Sequence, residues 1–406
     1  MAERSEGATG KVVVAGTLDT KRREVLFVRD RIAAAGLPTL LIDIGIRSDD
    51  DAADVTAAEV AVHHPDGPSA VFVDDRGDAV VNMAIALERF LLGGPPVVGM
   101  IGLGGSGGTG MIAPAMRALP VGLPKVMVST LASGDVSDYV GASDMFMHHP
   151  ITDIAGMNSV LRRVLANAAD AMVGMVSAPP LAGEADKPAL GLTMFGVTTP
   201  CVTRVADRLE ADFDCLIFHA TGTGGRAMEH LADAGELAGI LDLTTTEICD
   251  FLLGGVLSAG EDRLGAAQRR QIPYVGACGA LDMINFWSLD SLPERFRQRR
   301  LHRHNAQVTL VRTTADDCSR IGRWIGHRLN AFPGPVEFLL PLRGLSALDI
   351  EGGVFHDPEA NAALFDALRT TVNETETRTL REVDAHINDP AFAGAVIEAF
   401  ARVRAL

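Results

Sequence analysis

Apolar residues in this chain fall into short continuous runs, separated by longer stretches with helical spacing. Lys11-Val-Val-Val-Ala-Gly16 and Thr39-Leu-Leu-Ile-Asp-Ile44 read as strands without a polar face, as do residues 97–101 and 125–128. Residues 144–147 have the same character, and 71–73 give a weaker strand signal. Between them, residues 24–35 read as a helix closed by Gly36. Residues 78–92 carry Met83, Ala86, Leu87 and Phe90 on one face, and residues 151–176 repeat Ile154, Met157, Leu161, Val164, Leu165 and Ala168 at helical spacing. Strands are expected again at 189–195, 215–219, 239–243, 308–311 and 336–340. Helices open at Thr199-Pro200, at Arg226 and, last, at Asp389-Pro390.

Strands that alternate with helices and lack a polar face predict parallel sheets covered on both sides. The expected fold class is α/β, with two Rossmann-like doubly wound parallel-sheet domains at residues 11–176 and 189–406. Ser177-Ala-Pro-Pro-Leu-Ala-Gly-Glu-Ala-Asp-Lys-Pro188 breaks all periodicity and reads as the linker, and residues 1–10 read as a loose tail. In such sheets ligands bind beyond the carboxyl ends of the strands, so the loops there are where chemistry is sought.

The richest of these is Gly102-Leu-Gly-Gly-Ser-Gly-Gly-Thr-Gly110, between a strand and a helical pattern. Glycine opens unusual backbone angles and leaves main-chain N–H groups uncovered, which suits Gly104, Gly105, Ser106, Gly107, Gly108 and Thr109 to an anion at a helix N-terminus. Close helix packing and tight turns are the bland alternative. A second loop, Ala220-Thr-Gly-Thr-Gly-Gly225, has the same strand–glycine–helix order. Gly16-Thr-Leu-Asp-Thr-Lys21 follows the first strand. There Thr17 and Thr20 can donate to phosphate oxygens, Lys21 can offset their charge, and Asp19 can hold a metal ion or a hydroxyl, or these residues simply cap a helix. The P-loop pattern is absent. Asp43, ending the second strand, stands where an acid takes ribose hydroxyls. Ser129 and Thr130, followed by Ser133-Gly134-Asp135, put hydroxyls and an acid on the same presumed edge, or make ordinary turns.

Net charge is −16 over 406 residues, which argues against nucleic acid or an anionic membrane as the main partner. Five widely spaced cysteines, all beyond residue 200, predict reduced thiols in a cytoplasmic protein. No apolar stretch reaches the ~20 residues of a membrane helix, and the first ten residues lack the apolar core of a signal peptide. His63-His64 and His148-His149 read as turn histidines rather than metal ligands, and Cys278 as a buried thiol rather than a nucleophile. Gly260-Glu-Asp-Arg-Leu264, His302-Arg-His-Asn305 and Arg312-Thr-Thr314 are dense polar clusters that can line a pocket for an anionic or hydroxylated ligand, or form ion-paired contacts.

Val12-Val-Val-Ala-Gly-Thr-Leu-Asp-Thr-Lys21 and Gly102-Leu-Gly-Gly-Ser-Gly-Gly-Thr109 resemble motifs of the Tm-one-like ATP-binding family. So do Gly260-Glu-Asp-Arg-Leu264, Gly279-Ala-Leu-Asp-Met-Ile-Asn-Phe286 and His386-Ile-Asn-Asp-Pro-Ala-Phe-Ala393, so that the resemblance spans about residues 11–400. It implies two Rossmann-like subdomains, ATP with magnesium in the first, and self-association as a homodimer. It carries the nucleotide site onto Thr17, Asp19, Thr20, Lys21 and residues 104–109. Two functions are expected in order: an ATP–Mg-binding protein with weak or no turnover, or a metabolic enzyme. The enzyme would meet a small phosphorylated or carboxylate substrate with Glu261, Asp262, His304 and Arg312 in a cleft between the domains.

Overall fold

The computed structural model describes residues 10–48, 50–179 and 187–406, so the expected tail, at 1–9, and most of the expected linker, at 180–186, lie outside the described residues. The chain divides into two compact units on either side of that segment.

Unit 1 is a five-stranded, all-parallel sheet of β1 (Lys11–Gly16), β2 (Thr39–Asp43), β3 (Val97–Gly104), β4 (Lys125–Ser129) and β5 (Phe146–His148), in the order β2-β1-β3-β4-β5. Its helices are α1 (Leu18–Ala34), α2 (Ala57–Ala61), α3 (Arg76–Gly93), α4 (Ser106–Ala118), α5 (Ser137–Val140) and α6 (Ser159–Ser177). Alternate residues of β1 face opposite layers. Val13 and Ala15 join the core with α3 and α4, and Val12 and Val14 join the core with α1 and α6. Both faces are therefore dry, which is why the middles of β1, β2 and β4 carry no polar positions.

Unit 2 repeats the plan. Its parallel sheet orders β7 (Asp214–His219), β6 (Ala189–Met194), β8 (Gly239–Thr244), β9 (Tyr274–Gly279), β13 (Val336–Pro341) and β14 (Arg378–Val383). Counted from its own first strand this is 2-1-3-4-5-6, the same winding as unit 1. α7 (Thr199–Leu209) and α13 (Pro390–Ala405) cover one face. α8 (Thr223–Asp233), α9 (Thr246–Leu253), α10 (Gly265–Arg270), α11 (Ala315–Asn330) and α12 (Pro358–Thr371) lie on the other side.

Four expectations are corrected. Strand 308–311 is not part of a parallel sheet: β12 (Thr309–Arg312) pairs antiparallel with β10 (Met283–Phe286) and β11 (Leu301–Arg303) in a small separate sheet. The helix expected from 151 begins at Ser159, because Ile151 sits at φ 66° and Asn158 is the cap, accepting from Val160 and Leu161 N–H. The first helix begins at Leu18 rather than 24, because the Asp43 carboxylate accepts the Leu18 N–H at 3.0 Å. Residues 71–73 form no strand; they follow a short 3-10 turn.

Candidate functional site

The order 2-1-3-4-5 reverses direction between β1 and β3, the switch point where doubly wound sheets leave a crevice. Asp43, Gly16, Gly104 and Ser129 end neighbouring strands, with Gly16 opposite Asp43 and Leu103, and Gly104 opposite Ser129. At ~4.8 Å per strand, that row spans roughly 14 Å. The candidate nucleotide-binding residues of unit 1 lie along it, in the loops just beyond, or in the first turns of α1 and α4.

The structure divides that set by what each group already touches. Asp43 is buried and its Oδ1 accepts from Leu18 N–H and from Gly45 N–H at 2.8 Å. Burial pushes its carboxyl above the usual range, opposed by the Leu18 amide. The carboxylate thus serves as the anion at the start of α1. Thr17 and Thr20 bond each other through their hydroxyls at 2.8 Å. Lys21 Nζ donates to Ile154 O at 3.0 Å, tying α1 to the segment before α6. Thr109 and Ser129, both fully buried, share a 2.7 Å hydroxyl bond that fastens α4 to the end of β4. Asp19 is exposed and lies against Gly45.

The remainder is uncommitted. β3 passes to α4 through Gly105 alone, and no side chain caps the helix. The first backbone bond into α4 runs from Thr109 N–H to Gly105 O, and among the described residues the Ser106, Gly107 and Gly108 N–H groups have no acceptor. An α-helix begins with unmet N–H groups and a positive dipole end, and here neither is answered by the protein. Ser106 is exposed, and the Thr130 side chain stands beside Gly105 with its hydroxyl unbonded.

The glycines separate in the same way. A Cβ at Gly102 would meet Ile112 at 2.6 Å, and one at Gly104 would meet the backbone of Gly108 and Thr109 at 2.7 Å, so these two let α4 pack. At Gly105, Gly107, Gly108 and Gly110 the nearest atoms are 3.5 Å or more away. None of the six has positive φ. Unusual backbone angles are therefore not what glycine supplies in this loop; an uncovered main chain is. One contributor was invisible in the sequence. The guanidinium of Arg76, exposed in the first turn of α3, comes within 3.6 Å of the Cβ position of Gly107. The only clue was its place at the start of a helix packed beside α4.

Unit 2 shows what such a turn does when the protein fills it. The glycine loop after β7 holds the Glu247 carboxylate, with Oε1 accepting from Gly222 N–H at 2.6 Å and from Gly225 N–H at 3.0 Å. Glu247 also takes Arg263 Nε at 2.9 Å, and Arg263 binds Asp242 through two N–H groups at 2.7 Å. All three side chains are buried. An internal carboxylate therefore occupies the amides of this second loop. Nor is the loop the counterpart of residues 104–109, since it follows the second strand of its sheet and not the third. The carboxyl edge of this sheet is bridged by the chain itself, through Ala280 N–H to Leu345 O, Ala347 N–H to Val197 O and Ile387 N–H to Gly344 O.

The residues of the alternative reading are each held by other partners. Asp262 pairs with Arg269 at 2.7 Å, the Glu261 carbonyl accepts from Arg328, and buried Arg312 is tied to Phe355 O, Thr313 Oγ1 and Asn361 Oδ1. No hydrogen bond or ion pair joins any of Glu261, Asp262, His304 and Arg312 to another among the described residues. Cys278 lies wholly buried in β9, where burial pushes the thiol well up and away from nucleophilic chemistry. His64 is buried in a turn, its Nδ1 accepting Asp66 N–H, and His63 meets Phe90 edge to face. All five cysteines are free. Among the described residues no helix is long and apolar enough to cross a membrane.

Comparison with known proteins extends over both units. The model of the N-terminal domain of an uncharacterised protein family (UPF0261) matches residues 10–180, and that of its C-terminal domain matches residues 187–404. A UPF0261 protein of Rhizobium meliloti is 55% identical over 391 residues, 96% of this chain and 98% of its own. One of Clostridium tetani is 45% identical over 397 residues, 94% of this chain and 96% of its own. The tomato ToMV resistance protein Tm-1(GCR237) is 38% identical over 419 residues, 97% of this chain but 56% of that protein.

Proposed function

The chain belongs to the UPF0261 family, and on that footing we propose that unit 1 binds ATP, with its phosphates on the start of α4 and with little or no turnover of its own. The observation that carries this reading is the set of three N–H groups, at Ser106, Gly107 and buried Gly108, that find no acceptor among the described residues, with Gly105 and Gly107 leaving the main chain before them uncovered. They sit at the switch point of the sheet, where the general rule expects a ligand. Arg76 and Thr130 flank them. A phosphate there gains charge-assisted bonds and the favourable end of a helix dipole.

Lys21 and Asp43 take secondary parts. Lys21 follows β1 at the same edge of the sheet and gives one of its three N–H donors to Ile154 O, which leaves two for a phosphate. Asp43 keeps α1 in register beside the site. Magnesium fits as a companion of the nucleotide, since it is commonly held by phosphate oxygens and one or two carboxylates, and exposed Asp19 offers one. The same reading includes a cytoplasmic location, in keeping with five free cysteines, and a homodimer, which light scattering measures directly.

Calorimetry tests the site. The wild-type chain should bind one ATP, and Gly107→Val should abolish binding while the melting curve stays in place, because a Cβ there has space. Unchanged affinity in that variant removes the loop from the site.

A further inference from the structure

We infer that unit 2 carries an independent anion site, taking a small ligand with a carboxylate or phosphate group, in the cavity of about 380 Å³ where α11 and α12 begin. Its walls include Arg299 and Arg300, Thr314 and Ala315 at the start of α11, and Glu359 and Ala360 at the start of α12. The volume lies in the range that encloses a small molecule.

Three features converge on it. Two helices present their positive ends to one cavity. Their caps answer only Asp317 N–H, from Thr314 Oγ1, and Ala360 N–H, from Asp357 Oδ1. The Ala315 and Glu359 N–H groups, which line the same space, keep no protein acceptor.

Next, the arginines are held in place without being used up. Arg299 gives one N–H to Asp317 at 2.5 Å, and Arg300 gives one to His356 O at 2.7 Å while its other amino group stays 3.8 Å from Asp357. Each guanidinium has five N–H donors, so both retain donors for an oxyanion.

Last, Arg312 adds a third guanidinium to the wall, its charge shared with buried Asp349 at 3.8 Å. It also lines the cavity and is only 3% exposed. Its Nε bonds Phe355 O at 2.7 Å and its Nη2 bonds Asn361 Oδ1 at 2.8 Å. Exposed Glu359 is the one acid on the rim that caps or pairs with nothing, so it opposes an anion there.

The site is tested on the full chain by calorimetry with inorganic phosphate and, separately, malonate, the two arms telling a phosphate from a carboxylate ligand. Binding in either arm should weaken at least about fivefold in Arg300→Ala, the loss of one charge-assisted bond, and strengthen in Glu359→Gln. Arg300 is exposed, so the fold should persist, which circular dichroism checks. ATP affinity should not change in Arg300→Ala, which separates this site from the one in unit 1. Absence of binding in both arms, or binding lost in Gly107→Val and kept in Arg300→Ala, overturns the inference.

Discussion

Replacing Glu247 by alanine empties a glycine cradle that the protein fills itself. The carboxylate makes three bonds, to Gly222 N–H at 2.6 Å, Gly225 N–H at 3.0 Å and Arg263 Nε at 2.9 Å. Removing one partner of a buried ion pair costs about 3–5 kcal/mol. Two amides left without an acceptor add to this, and water entering the space relieves part of it, so about 4 kcal/mol is expected. For a unit of this size each kcal/mol moves Tm by roughly 2–4 °C, giving a fall of about 8–16 °C. Formate is small enough to re-enter beside Gly225, where the native carboxylate already abuts the position of a Cβ. Melting should therefore recover several degrees in formate compared with chloride at equal ionic strength. A fall of less than about 3 °C, or equal melting in the two salts, would refute the claim that a strand–glycine–helix turn in this protein grips carboxylates.

Transplanting the plug gives a complementary result: Ser106→Glu should add about 0.5 kcal/mol to unit 1 through the helix dipole, while abolishing ATP binding by calorimetry. Loss of both stability and binding would mean simple misfolding. Arg76→Ala should weaken ATP roughly tenfold, the scale of one charge-assisted bond, with no change in Tm; unaltered affinity would remove Arg76 from the site. Asp282 is fully buried, and burial beside Asp349 pushes its carboxyl up to about 7. Between its ordinary value near ~4 and about 7 the folded chain holds a proton that the unfolded chain has lost. Stability from this group is therefore highest in acid, falls as pH rises through that window and is level above it. Asp282→Asn should lessen the drop in urea midpoint between pH 5 and pH 8, and an unchanged drop would count against the assignment.

Much of the fold was legible because buried parallel strands must be apolar on both faces. β1, β2 and β4 stand out as runs of Val, Leu, Ile and Met. β9 did not, because its central position is filled by Tyr-Val-Gly-Ala-Cys-Gly. There Phe338 packs against Gly276 where a side chain would be. β14, Arg-Thr-Leu-Arg-Glu-Val, is a half-exposed edge strand whose polar positions hide it. At the candidate site, local sequence revealed the glycine loop but not which hydroxyls were already engaged. Thr109 and Ser129 are twenty residues apart, and Asp43 reaches back twenty-five to Leu18. The same long reach hid Arg76 beside Gly107 and Glu247 beneath Gly222, since only the winding of the sheet brings them together.

The central claim concerns three amide protons, and amide-resolved nuclear magnetic resonance reads them directly. Titrating the labelled chain with ATP and magnesium should shift the Ser106, Gly107 and Gly108 N–H signals strongly downfield, while Gly222 and Gly225, already bonded to Glu247, stay where they are. Saturating ATP that leaves the three α4 signals unmoved would contradict the account.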